Sequence, residues 1–246
     1  MLMSMPVHML WVGGPLSRLA RLSLTSFLSL GYHVKLWSYE PDDTGGAELR
    51  DAAEILPVDG DPRANMAWLT SLFRYRLLAE HGGIWSDMDV VALRSASDLP
   101  ARAMVASEKR RPFRHREASA TGAGLTQVTN CFMANPLPAS GDLWHRATDA
   151  VALLNREDRT WENVGPHLLS RLMLEDPGHG VTILSPDVVD PVAWWNVPGI
   201  FLEDHDPPPS PFMHMYATVW ARRGVNADAP FPDNSMAERL WRRFGL

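Results

Sequence analysis

The chain has 246 residues, a formal net charge of −6 and 46% apolar residues, which suits one domain, or one large domain with a small lobe, around a sizeable core. The acidic balance gives no electrostatic ground for general nucleic-acid binding, and no stretch approaches the roughly 18 apolar residues of a membrane-spanning helix. A single cysteine, Cys131, excludes an intrachain disulfide and fits a reducing, cytoplasmic compartment. The start of the chain runs straight into a core-like strand, so no cleavable signal peptide is expected.

In chain order, Val7 to Val12 is a short apolar run stopped by Gly13-Gly14-Pro15 and predicts a buried strand with a tight turn. Leu16 to Leu30 has helical spacing and closes at Gly31. His33 to Trp37 predicts a second strand and Ala47 to Ile55 a short helix. This β-α-β-α opening argues for an α/β sheet of nucleotide-binding type. Asp61 then reads as an N-cap before Pro62. The helix it opens runs to about His81, with Met66, Leu69, Leu72, Phe73 and Leu77 on its buried side and Ser71 and Arg74 sharing one face. Gly82-Gly83 suits a left-handed C-cap. Ile84 to Asp87 predicts a strand that Val90 to Leu93 continues. Further strands are expected at 103–108, 130–134 and 181–184, with helices at 143–154, 166–175 and 236–244. Between Glu108 and Asn130 runs an irregular basic segment, Lys109 to Arg116, followed by small residues. It is either a solvated loop or a flap facing an anionic acceptor.

Asp87-Met88-Asp89 is the most telling motif. In an extended segment, side chains at i and i+2 point to the same side. Two carboxylates aimed together after an apolar strand are costly unless a positive charge lies between them. A divalent cation bridging a diphosphate satisfies that requirement.

The run Phe73-Arg74-Tyr75 followed by Gly82-Gly83-Ile84-Trp85-Ser86-Asp87-Met88-Asp89 resembles the sugar-binding DXD region of GT32-type glycosyltransferases. These include bacterial capsular-polysaccharide and α-1,4-galactosyltransferase-like enzymes, yeast Och1-type mannosyltransferases and, more widely, the clostridial glucosylating toxins. Four other segments resemble family elements in family order: His8 to Pro15, the strand opened by Asn130, Gly165-Pro166, and His214 through Trp220. The resemblance implies a GT-A-like, Rossmann-like single domain over 1–246 with a mixed central sheet. Its donor-binding half would cover about 1–95, and its acceptor-side, C-terminal half about 96–246. It implies retaining transfer from a nucleotide sugar, with UDP-sugars favoured, to a glycan, lipid-linked or other hydroxyl acceptor, with Mn²⁺ or Mg²⁺ as cofactor and a role in surface polysaccharide synthesis. By position, Trp11 would stack on the donor base, with Val12 and Gly13 also binding the donor. Ser71, Arg74, Asn130 and Trp220 would contact the rest of the donor, with Thr218 near the diphosphate. Asp87 and Asp89, with Arg74, would be catalytic, and Asp89, Asp87 and His214 would hold the metal. Glu108, Arg110, Arg114 and Gly165 fall on the acceptor side. One departure stands out: Ser71 occupies the place where the family usually has an aspartate.

The chemistry asks for such residues. A nucleotide-sugar donor leaves a diphosphate whose growing charge a metal stabilises. Oxygen ligands suit Mn²⁺ or Mg²⁺, and an added imidazole tilts the choice to Mn²⁺. The rival readings are a nucleotide-sugar-binding protein without transferase activity, a metal-independent carboxylate-pair glycoside hydrolase and, more weakly, a nucleic-acid-modifying transferase using the arginine-rich loop.

Overall fold

A computed structural model describes residues 5–40, 45–96, 99, 101–109, 127–139 and 141–246. Arg110 and Arg114, with all of the basic segment beyond Lys109, lie outside the described residues.

The first strand, β1 (Val7–Trp11), leads through a turn to α1 (Arg18–Ser29), whose first turn is capped by the Ser17 hydroxyl accepting the Ala20 N–H at 3.1 Å. β2 (Val34–Ser38) and β3 (Glu48–Asp51) follow. The expected helix over 47–55 is therefore corrected: Glu48–Asp51 pairs as an edge strand beside β2, and only Ala52–Glu54 forms a helical turn, capped by Asp51. Asp61 caps a 3₁₀ turn, Pro62–Asn65, and Asn65 then caps α2 (Met66–His81) by accepting the Trp68 N–H at 3.1 Å.

β4 (Gly83–Ser86) and β5 (Val90–Ala92) do not form one strand. β4 lies in the main sheet, whereas β5 pairs with a distant C-terminal strand. The chain continues through β6 (Met104–Ser107), β7 (Val128–Asn135), α3 (Leu143–Ala152), α4 (Trp161–Val164), α5 (Pro166–Glu175), β8 (Thr182–Ile183), α6 (Pro186–Val189) and α7 (Gly199–Leu202). It ends with β9 (Phe212–His214), α8 (Ala217–Arg222) and α9 (Met236–Arg243).

The main sheet has the order β3-β2-β1-β4-β7-β6-β8. β1, β2, β3 and β4 are mutually parallel; β7 runs antiparallel to both β4 and β6, which makes the sheet mixed. Alternation divides β1 between two layers. Val7 and Met9 pack with Leu24 and Phe27 of α1, while Leu10 packs with α2, α3 and α5. Helices thus cover both faces, as a largely parallel sheet requires. α2 is buried on most of its sides, including Leu69, Ser71, Phe73, Arg74 and Tyr75, because α3 covers the side turned away from the sheet. Met66, expected on its buried side, is 38% exposed.

Gly82 and Gly83 both have positive φ, 67° and 89°. With ψ of −152°, Gly82 adopts an extended conformation open in practice only to glycine, rather than a left-handed cap. A Cβ on Gly82 would meet the Asn135 carbonyl at 2.6 Å, and one on Gly83 would meet His8 Nε2 at 2.7 Å. The two glycines let α2 drop into β4 between neighbouring strands.

Candidate active site

A cleft of about 360 Å³ opens at the carboxyl ends of the parallel strands β1 and β4, the edge where open α/β sheets bind ligands. Trp11 and Val12 leave β1 to form one wall, Thr70 and Arg74 of α2 form another, and Asp87 and Asp89 lie between them with Ala217 at the start of α8. Trp11 presents its indole there with Nε1 donating to the Gly14 carbonyl at 3.0 Å.

The two aspartates do not stand on an extended segment. Asp87 to Val90 is a turn closed by the Val90 N–H to the Asp87 carbonyl at 3.1 Å. That turn sends the carboxylates to different partners. Asp87 Oδ1 is 2.9 Å from Arg74 Nη1 and accepts Trp85 Nε1 at 2.8 Å. Arg74 in turn donates to the carbonyls of Asn130 (2.6 Å) and Thr70 (3.0 Å), and its guanidinium lies 4.9 Å from the Trp85 ring. Asp89 Oδ2 accepts the Ala217 N–H at 2.7 Å, and Oδ1 faces His214 Nε2 at 3.4 Å. The antiparallel pairing of β5 with β9 sets Val90 opposite His214 and brings the Met215 N–H to the Asp89 carbonyl at 2.8 Å. Sequence position says nothing of this pairing; backbone hydrogen bonds create it.

Behind His214 lies Asp190, wholly buried, with Oδ1 2.9 Å from His214 Nδ1. Asp190 was not among the expected site residues. A lone aspartate between apolar residues, just before Pro191, carries no spacing signal. Among the described residues, Cys131, Asp190 and His214 bring their ligand atoms within 4.8 Å of one another.

The electrostatics follow the packing. Burial raises the Asp87 carboxyl above the usual carboxylate range, Arg74 pulling it down and Asp89 pushing it further up. Burial would raise Asp89 as well, but His214 and the Ala217 amide outweigh it and hold this carboxyl low. Burial alone would lower His214; Cys131, Asp89 and the hydrogen bond to Asp190 lift it well above the ordinary histidine value. Burial pushes Glu108, at the end of β6, up to about 7, with Asp190 adding to the rise. Burial, with Asp190 next, pushes the Cys131 thiol up to about 12, which makes it a poor nucleophile.

The remaining expected residues divide. Ser71 is 4% exposed and does not line the cleft, which Thr70 lines instead. Trp220 is fully buried, donates Nε1 to the Met215 carbonyl at 2.6 Å and stacks near Phe201; it is a core residue and does not reach the cleft. Thr218 is exposed beside it. Gly13 lies against the Arg63 side chain. The Asn130 side chain turns to Tyr75, with Nδ2 3.5 Å from its hydroxyl, near Gly165. Gly165 joins α4 to α5 where a Cβ would lie 2.8 Å from the Trp161 carbonyl. Lys109, the described end of the basic segment, pairs with Asp187 at 3.3 Å.

The donor set fits a divalent cation. Asp89 Oδ1 and His214 Nε2, 3.4 Å apart, have a separation that two ligands about 2.1 Å from a common ion can take. A carboxylate oxygen with an imidazole nitrogen suits a divalent transition metal better than Ca²⁺.

No protein-family model matches the sequence, and no curated protein matches it. Solved structures do resemble the fold. The glycosyltransferase GlyE of Streptococcus pneumoniae TIGR4 matches in its apo form with a TM-score of 0.52 at 14% identity and in a second structure with 0.50 at 13%. In both, the match covers 98% of this chain and 60% of GlyE. PaToxG glycosyltransferase matches with a TM-score of 0.47 at 12% identity, over 98% of this chain and 86% of PaToxG. An active-site mutant of LgtC matches with 0.46 at 11%, over 86% and 87% of the two chains. The chain has a GT-A-like glycosyltransferase fold. It spans about three-fifths of the length of GlyE. No helix among the described residues is long and apolar enough to cross a membrane.

Proposed function

We propose that this protein is a metal-dependent, retaining glycosyltransferase of GT32 type that uses a nucleotide-sugar donor, UDP-sugars being favoured, and a glycan or lipid-linked hydroxyl acceptor. The observation that carries this reading is the meeting of Asp87, Asp89 and His214 beside Arg74 at the carboxyl edge of a GT-A-like sheet. In this reading one domain spans residues 1–246. Residues 1–95 supply most of the donor cleft, Ala217 and Ala227 complete it from the C-terminal half, and His214 stands against Asp89.

Asp89 and His214 would hold Mn²⁺ or Mg²⁺, with Asp87 beside them. When bound, the ion supplies Lewis-acid stabilisation of the diphosphate leaving group. The chain's own groups do the rest. Trp11 offers a flat apolar face to the base. Arg74 holds Asp87 in place while its own guanidinium is fixed by the Thr70 and Asn130 carbonyls, and it adds positive charge to the cleft. In same-face transfer the anomeric carbon's bond to the phosphate oxygen breaks as its bond to the acceptor oxygen forms, and the acceptor's proton passes to the leaving phosphate. This needs no protein nucleophile.

A specific observation keeps a second reading in view. Thr70 of α2, not a carboxylate, lines the cleft, and Ser71 is buried. A protein that binds a nucleotide sugar without transferring it would show this loss.

Thermal unfolding with UDP, GDP and their sugar conjugates, with Mn²⁺ or chelator, tests both readings in native protein and Asp89→Ala. Ligand at 100 times its Kd stabilises by about 2.7 kcal/mol. A Mn²⁺-dependent shift with one base, lost in Asp89→Ala, is expected. Donor hydrolysis or transfer then separates enzyme from binder, and no shift with any nucleotide overturns both.

A further inference from the structure

We propose that Asp190 is a positioning residue for the metal site. It accepts the His214 Nδ1–H and so presents the Nε2 lone pair beside Asp89 to the divalent cation. This rests on the metal-dependent reading above.

The geometry carries the assignment. Asp190 is 0% exposed, and both of its oxygens are engaged. Oδ1 lies 2.9 Å from His214 Nδ1; Oδ2 lies 3.5 Å from Thr129 Oγ1 and 3.8 Å from Cys131 Sγ, both on β7. A carboxylate held from β7 and seated just after α6 cannot swing away from the imidazole. The ring is fixed on its face as well: Tyr216 lies with ring centroids 3.9 Å apart and planes 30° apart. Tyr216 holds φ at 54°, the one non-glycine residue with positive φ among those described. That conformation is unfavourable for a bulky side chain and persists where surrounding structure imposes it.

One ring nitrogen is thus committed to a buried carboxylate and the other points to Asp89 Oδ1 at 3.4 Å. Metal-bound histidines are oriented this way: the outer nitrogen donates to a carboxylate, which sets the tautomer and strengthens the ligand. A buried ion pair kept for stability alone is a weaker explanation, because such pairs add little net stability over an apolar replacement.

The test measures Mn²⁺ binding to donor-free protein by the electron paramagnetic resonance of free Mn²⁺. It compares native protein, Asp190→Asn, Asp190→Ala, His214→Ala and the double variant Asp190→Asn/His214→Ala. Asp190→Asn is nearly isosteric, so it keeps the test sound even if the alanine variant unfolds. Its amide can donate to Nδ1 and leave the proton on Nε2, where it blocks the metal. Expected is a 10- to 100-fold weaker Mn²⁺ affinity in Asp190→Asn, with the double variant no weaker than His214→Ala alone. Native affinity in Asp190→Asn, or losses that simply add in the double variant, overturn the proposal while leaving the metal site standing. No Mn²⁺ binding by the native protein overturns both. Zn²⁺ binding that survives Asp89→Ala and is lost in Cys131→Ser also overturns it, because Nδ1 would then itself be a ligand.

Discussion

Arg74 Nη1 lies 2.9 Å from Asp87 Oδ1 and 2.6 Å from the Asn130 carbonyl, so one guanidinium joins α2, the turn after β4 and the strand β7. The Arg74 side chain is only 8% exposed and the Asp87 side chain 27%. Removing the cation leaves a largely buried carboxylate and a buried carbonyl without their donor. Arg74→Ala is therefore expected to lower stability by roughly 3 kcal/mol, in the range for breaking a buried pair, as read from urea unfolding. Arg74→Lys keeps the charge but not the separate Nε donor that holds the Thr70 carbonyl at 3.0 Å while Nη1 serves Asp87 and Asn130. It should fold with a smaller loss and still lower donor turnover by at least about tenfold. Full turnover in Arg74→Lys would reduce the guanidinium to a generic cation.

In the proposed reading Trp11 stacks on the donor base. Base–aromatic stacking is worth about 1–3 kcal/mol by alanine substitution, or roughly 5- to 150-fold in Kd. Calorimetric titration with the preferred nucleotide should show that loss in Trp11→Ala and a smaller one in Trp11→Phe. Equal affinities in all three proteins would place the base elsewhere.

His8 makes the fold sensitive to acid. It is buried on β1, accepts Trp37 Nε1 on Nδ1 at 3.0 Å and meets Gly83 at its other nitrogen. Burial, with Lys35 next, lowers its pKa from 6.5 to about 3. Between those values the unfolded chain takes up a proton that the folded chain refuses. The stability it contributes is therefore complete above about pH 6.5 and falls as the pH drops toward 3. At about 1.4 kcal/mol per unit, the loss from pH 6.5 to 5 is roughly 2 kcal/mol. Denaturant midpoints across that range should fall less steeply in His8→Gln. Parallel slopes would assign the acid sensitivity to other groups.

Much of this was legible in the sequence because local rules decide it. The apolar run of β1, the glycine stop after α2 and the aspartates that follow are short-range signals. The site's finer arrangement was not legible, for identifiable reasons. Helical spacing marks the cleft side of a helix only when another side meets water; α2 is covered on most sides, so Thr70 and Ser71 could not be told apart. The Ala47 to Ile55 pattern reads as helical, yet pairing with β2 overrode that weak preference. Trp220 belongs to a conspicuous C-terminal motif and nonetheless fills the core. Asp190 becomes visible only once β9 brings His214 to it.

The pairing of β5 with β9 has a consequence for how the protein is made. The Ala217 amide and the Asp89 carboxylate it binds are 128 residues apart. An amino-terminal fragment ending near residue 95 would carry both aspartates and most of the cleft wall, yet lack the imidazole and the amide that hold Asp89. Closing so long a loop is slow and comes late. In the proposed reading, competence to bind the ion therefore waits for a segment far along the chain from the aspartates, and a product terminated before it is expected to be silent rather than partly active.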